Sequence, residues 1–140
     1  MAKQLIAATL LLLAACVTPS TATTSFALAG TSWQRNDDAD ANPHGATLEF
    51  ADARASGYTG CNRWFADVTH ENMTLRFGAI AMTRMACQTE MQADTERHFV
   101  DALNHTRFYH LDGEELVFTD DHSADVARFA CSTEPCPHAP

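Results

Sequence analysis

Two short stretches hold the residue types that could do chemistry. Gly57-Tyr58-Thr59-Gly60-Cys61-Asn62-Arg63-Trp64-Phe65 packs two glycines, a cysteine, an asparagine and three aromatics into nine residues. Ala81-Met82-Thr83-Arg84-Met85-Ala86-Cys87 ends in the other cysteine of the central region. Glycines let a backbone approach a partner, and Asn62 and Arg63 offer donors, so the first stretch could be a ligand corner. The competing structural reading is preferred: glycine and asparagine tolerate positive φ, Cys61 serves as a staple, and Asn62 satisfies its own turn. Asn62, Arg63, Thr83 and Arg84 are the candidate binding residues. Arg84 sits among methionines, and an arginine buried there needs backbone carbonyls or an acid such as Glu49 or Asp67 as acceptor. An anion site shared by Arg63 and Arg84 requires that both guanidiniums line one pocket.

Thiol catalysis at Cys61 or Cys87 would need a histidine base, and no local signature supplies one. His70, His98, His105, His110, His122 and His138 form no HxxxH pair, and His98 and His105 lie a heptad apart. No catalytic residue, metal or cofactor is expected. Met73 and Met91 suit core or half-buried positions, while Met82 and Met85 flank Thr83-Arg84. Filling irregular core gaps is the preferred role for these methionines, over forming an adaptable binding surface.

The start of the chain gives an address. Lys3 and a predominantly apolar run of eleven residues, Leu5 to Ala15, have the layout of a secretory signal, and the run is too short to span a bilayer as a helix. Leu13-Ala14-Ala15-Cys16 resembles a bacterial lipobox, which predicts lipidation of Cys16 as the first mature residue. Residues 1–15 are then a signal peptide, and residues 16–27 are the lipidated cysteine with a small, polar, flexible tether. Val17 and Thr18 in place of an aspartate favour the outer membrane, facing the periplasm. The expected partners are the membrane, through this lipid, and an unknown envelope protein or ligand.

Processing leaves 125 residues, enough for one domain, with eight arginines against eighteen acids. Such a charge argues against nucleic acid and against electrostatic docking on anionic lipid. Cys61, Cys87, Cys131 and Cys136 are an even set for an oxidising compartment and allow three connectivities. Cys61 with Cys87 and Cys131 with Cys136 is the preferred pairing. In the chain-entropy account, closing the first loop stabilises by roughly 3–4 kcal/mol.

The elements that would position these residues are mostly strands. Thr31 to Arg35, Ala46 to Phe50, Arg54 to Tyr58, Trp64 to Thr69 and Met73 to Phe77 are short extended segments separated by turn residues, with Trp33 as a core anchor. Between Thr89 and Asn104 the period changes: Met91, Thr95, His98, Phe99, Ala102 and Leu103 recur at helical spacing, and Thr89 with Gln92 fits a capping box. Strand patterns return at Thr106 to Leu111, at Glu114 to Thr119 after the Asp112-Gly113 turn, and at Ala124 to Phe129. The predicted class is mainly β (α+β), a small antiparallel meander or partial barrel with one amphipathic helix covering one side. The domain should span 28–130, with 131–140 an extended tail carrying its own cysteine pair.

Laid out in this order, the chain resembles the META domain family, also called HslJ-like after a bacterial heat-shock lipoprotein. The matching pieces are Leu28 to Trp33, Leu48-Glu49-Phe50 leading to Ser56 through Arg63, Leu75 to Gly78, Ala81 through Cys87, and the hairpin at Asp112 to Leu116. The resemblance covers about Leu28 to Phe129 and leaves Cys131 and Cys136 outside it. It implies a small antiparallel β-domain with one helix, often envelope-anchored, associated with heat or envelope stress and without established catalytic residues. The expected function is therefore a non-enzymatic envelope lipoprotein that binds a protein or envelope component and supports envelope integrity or stress tolerance, antibiotic stress included. The alternative is a periplasmic small-molecule or anion-binding module, using the barrel interior or mouth with Asn62, Arg63 and Arg84.

Overall fold

A computed structural model of the protein describes residues 27–38, 45–132, 134 and 136–137. The expected signal peptide, Cys16 and the tether up to residue 26 lie outside the described residues, as does His138. Nine strands and one helix follow in chain order: β1 (Ser32–Arg35), β2 (Ala46–Ala51), β3 (Arg54–Thr59), β4 (Arg63–Glu71), β5 (Thr74–Phe77), β6 (Ala81–Met82), α1 (Glu90–His105), β7 (Phe108–Asp112), β8 (Glu115–Thr119) and β9 (Asp125–Cys131).

All pairings are antiparallel, in the order β3-β2-β1-β9-β8-β7-β5-β4-β6, and β3 also pairs with β4. That last pairing closes the sheet into a ring, one step beyond the partial barrel expected from spacing. Strand β4 makes closure geometrically feasible because it is long. Its first half pairs with β3, from Tyr58↔Arg63 to Arg54↔Asp67, and its second half pairs with β5, from Val68↔Phe77 to Glu71↔Thr74. Gly57 sits where β2, β3 and β4 crowd together: a Cβ there would collide with the Thr47 carbonyl oxygen. The ring is thinnest where β5 meets β7 at the single pair Thr74↔Phe108, and among the described residues the two-residue strand β6 pairs on one side only, with β4.

Alternation decides which side chains fill the ring. Along β4, Trp64, Ala66 and Val68 are buried while Arg63, Phe65 and Asp67 are exposed. Leu48 and Phe50 of β2 point inward the same way. The interior is packed with rings in edge-on or tilted contact, Trp64 with Phe99 at 5.3 Å and Phe118 with Phe129 at 4.9 Å between centroids. Leu28, Trp33, Leu75 and Leu116 complete this core.

Helix α1 begins at the expected cap. Thr89 Oγ1 accepts from Gln92 N at 3.2 Å, but Gln92 Oε1 accepts from Gln88 N and not from the capping residue, so the reciprocal half of the box is displaced by one residue. Thr95, Phe99, Ala102 and Leu103 form its buried face. The helix touches β2, β3, β5 and β9 and therefore lies across the ring; it does not cover a single flank. Met91 departs from the expected stripe, being 53% exposed, and Met73 and Met85 are exposed as well, so core filling is not their role. In α1, Thr95 takes the inward position a turn after Met91 and satisfies its hydroxyl on the Met91 carbonyl at 2.7 Å.

Candidate functional site

The two cysteine-bearing stretches meet. Strand β3 runs into a tight corner, Gly60-Cys61-Asn62, in which Gly60 has φ +100° and Thr59 Oγ1 accepts from the N–H groups of Cys61 and Asn62 at 3.2 and 2.8 Å. A Cβ on Gly60 would stand 2.5 Å from Thr95 Cγ2, so the helix packs directly on the corner. Cys61 and Cys87 are joined as a disulfide with Cα atoms 5.4 Å apart, tying the corner to the loop that leads into the helix. Cys131, expected in the tail, is instead the last residue of β9, opposite Trp33 of β1, and is joined to Cys136 beyond the strand.

Asn62 is buried and fully engaged. Its Oδ1 accepts from Thr83 Oγ1 and Met85 N, each at 2.8 Å, which leaves Nδ2 to donate to Met85 O at 3.2 Å and Glu96 Oε2 at 3.0 Å. Cys61 Sγ lies 3.4 Å from the same nitrogen. Thr59 Oγ1 donates to Glu96 Oε2 at 2.5 Å. Asn62 and Thr83 are therefore structural pins of the corner. Glu96, which the sequence did not single out, enters from the helix. Its only local signal is its place beside Thr95, and its proximity to Cys61 is a tertiary fact.

Arg63 and Arg84 are both exposed, and neither guanidinium has an ion-pair partner among the described residues. Arg84 thus does not brace Glu49 or Asp67; Asp67 faces Arg54 at 3.6 Å. The two arginines also fail to converge. A groove of about 700 Å³ on the outer face of β2, β3 and β4 is lined by Thr47, Glu49, Ser56, Tyr58, Arg63 and Phe65, with Met82 at its edge. A second, of about 730 Å³, lies on the other side of the Ala81–Thr83 ridge and is lined by Asn62, Arg84, Met85 and Glu96. Arg63 lines the first and Arg84 the second, so they do not share one anion. Packing of the ring interior by aromatic side chains likewise removes the interior as a ligand cavity.

The first groove is where the outer face becomes aromatic. Tyr58 and Phe65 are 37% and 48% exposed, on adjacent strands, with Arg54 stacked 5.3 Å from the Phe65 ring centroid. Elsewhere several charged groups pair with one another. Arg35 is buried against Asp37 and Asp38, and His98 faces Asp38 at 3.2 Å. Arg128 binds Asp112, Glu115 and Asp125 on the outer face of the β7–β9 sheet, and these hydrogen bonds push its pKa up. Among the described residues two trios could present metal-ligand atoms to one another, Cys61-Cys87-Glu96 and the exposed Asp120-Asp121-His122.

The META domain family profile matches residues 23–133, most of the chain. The chain belongs to the META domain family. This META domain is also similar to solved structures: an NMR structure of a protein from Burkholderia xenovorans, 26% identical over 76% of this chain and 85% of that one, with TM-score 0.56. A second NMR structure is 19% identical over 74% and 90% of the two chains, TM-score 0.55. A DUF4847 family protein from Bacteroides vulgatus is 17% identical over 74% and 93%, TM-score 0.53. The last two likenesses concern the fold alone. A search among curated proteins finds no match.

Proposed function

We propose that this META domain is a non-enzymatic envelope lipoprotein, held by lipid on Cys16 at the outer membrane, which binds an envelope protein or another envelope component through its outer groove. In this role it contributes to envelope integrity under heat or antibiotic stress. The observation that carries the reading is the contrast between a ring filled with aromatic side chains and an outer face that exposes Tyr58 and Phe65 beside the unpaired Arg63. Exposed aromatics next to arginine are the composition of binding hot spots, and a filled interior leaves the surface as the place to bind. No helix among the described residues is long and apolar enough to cross a membrane, so attachment in this reading falls to the lipid.

The test is complementation of a deletion strain under heat and envelope-active antibiotic. Cys16→Ser should move the protein from the membrane to the soluble fraction and lose protection. Tyr58→Ala with Phe65→Ala should stay folded and membrane-bound yet lose protection too. Full protection by the groove variant would refute the binding face, and an unchanged membrane fraction for Cys16→Ser would refute the anchor.

A further inference from the structure

The disulfide corner holds more polar machinery than a staple needs. The Cys61 and Cys87 sulfurs and a carboxylate oxygen of Glu96 all lie within 4.8 Å of one another, with Cys61 buried and the other two half-buried. Asn62 Nδ2 donates to Glu96 Oε2 and faces Cys61 Sγ, so one amide sits between a carboxylate and a sulfur. The amide cannot turn over without giving up the two 2.8 Å bonds to its Oδ1. We infer that, once its disulfide is reduced, this corner binds a thiophilic divalent cation of the zinc and cadmium class, with Cys61, Cys87 and Glu96 as ligands.

The chemistry balances with an external dithiol as reductant. The dithiol gives two electrons and two protons, becomes a disulfide itself, and leaves Cys61 and Cys87 as thiols. Binding of the cation then expels both thiol protons. Without a cation, two thiolates and the Glu96 carboxylate would be three like charges in a half-buried corner, an arrangement that forces protonation. With one, thiolate, thiolate and carboxylate supply three of the four ligands that zinc prefers, and a water would complete the tetrahedron from the side of Glu96, which lines a surface groove. Zinc–sulfur bonds near 2.3 Å place tetrahedral sulfurs about 3.8 Å apart, so the two sulfurs must move apart once their bond is broken. Cys87 lies on the irregular segment between β6 and α1, with Ala86 exposed on one side and Gln88 held by its N–H to Gln92 Oε1 on the other. In the oxidised chain neither sulfur is a thiolate, so the cation site exists only after reduction. This inference is independent of the outer groove, which lies across the Ala81–Thr83 ridge.

The experiment uses the full chain carrying Cys16→Ser, Cys131→Ser and Cys136→Ser, which leaves Cys61 and Cys87 as its only cysteines. It is reduced with a phosphine and titrated with Cd²⁺ while the thiolate-to-cadmium absorption band and the near-ultraviolet circular dichroism are followed. One Cd²⁺ per reduced chain, none per oxidised chain, and affinity weakened about 10- to 100-fold by Glu96→Gln are expected. Absence of the band in the reduced chain, binding to the oxidised chain, or equal affinity in Glu96→Gln would overturn the site. Should reduction unfold the chain, recovery of the native dichroism on adding Cd²⁺ supports the site, and failure to recover overturns it.

Discussion

Asn62 Nδ2 stands 3.0 Å from Glu96 Oε2 while Asn62 Oδ1 receives the Met85 N–H at 2.8 Å, so one buried side chain fastens the β3–β4 corner to both the β6–α1 loop and the helix. Such a side chain has a sizeable effect when removed because it is itself buried and holds four hydrogen bonds at once. Asn62→Ala strands the Met85 N–H and the Thr83 hydroxyl and takes a donor from Glu96. Thr83 and Met85 are exposed, so water reaches part of what is stranded, and the variant should lose about 1–3 kcal/mol in urea unfolding. A loss below about 0.5 kcal/mol would show that water replaces the amide without penalty.

Gly60 and Thr95 should be energetically coupled. Gly60→Ala must hold a side chain at φ +100° and place a Cβ 2.5 Å from Thr95 Cγ2. Strain of this kind costs about 1–3 kcal/mol before the collision is counted. Thr95→Ser removes the colliding methyl but keeps the hydroxyl that donates to Met91 O. A double-mutant cycle should therefore show Gly60→Ala costing less in the serine background, with a coupling of about 0.5–2 kcal/mol. Additive effects would mean that the backbone angle alone accounts for the cost.

These two couplings mark where the sequence stopped being legible. Strand positions follow from alternation because burial on one face of a pleat is a local, period-two property, and Leu48, Phe50, Trp64 and Val68 all obey it. Ring closure was not legible, since β3–β4 pairing depends on how far β4 extends and on Gly57 letting Thr47 approach. Glu96 was hidden for a similar reason: on the helix it is one polar residue among several, and only the crossing of α1 over the corner brings it to Cys61. Arg84 was misplaced because flanking methionines suggested a buried segment, whereas Met85 is 65% exposed and the loop runs over the surface. The family-specific order of the glycine, cysteine, asparagine and methionine pieces carried more information than composition did, and it located the corner before its geometry was visible.

The two disulfides should differ in what they contribute. The Cys61–Cys87 link closes a separation of 26 residues and Cys131–Cys136 one of 5. Loop-closure entropy alone then gives about 3.5 kcal/mol for the first and about 2 kcal/mol for the second. Cys61→Ala/Cys87→Ala should lower the thermal midpoint clearly more than Cys131→Ala/Cys136→Ala. The reverse order would mean that the tail link holds β9 in the ring.

Acid should weaken the β8–β9 turn through Asp120. Its Oδ1 accepts from the Ala124 and His122 N–H groups at 2.9 and 2.8 Å, and these bonds hold its pKa below the usual carboxylate value, Ala124 contributing most, with a smaller push from positive charge on His122 and His105. A depressed folded pKa means that ionised Asp120 stabilises the native state above the unfolded pKa, near 3.8, and that this contribution fades as pH falls through the lower folded value. Asp120→Asn keeps an oxygen for both N–H groups and removes only the charge. Wild type should thus have the higher thermal midpoint near neutral pH, with the gap closing progressively below about pH 4. A gap that stays constant down to about pH 2.5 would show that the substitution acts through turn geometry and not through ionisation.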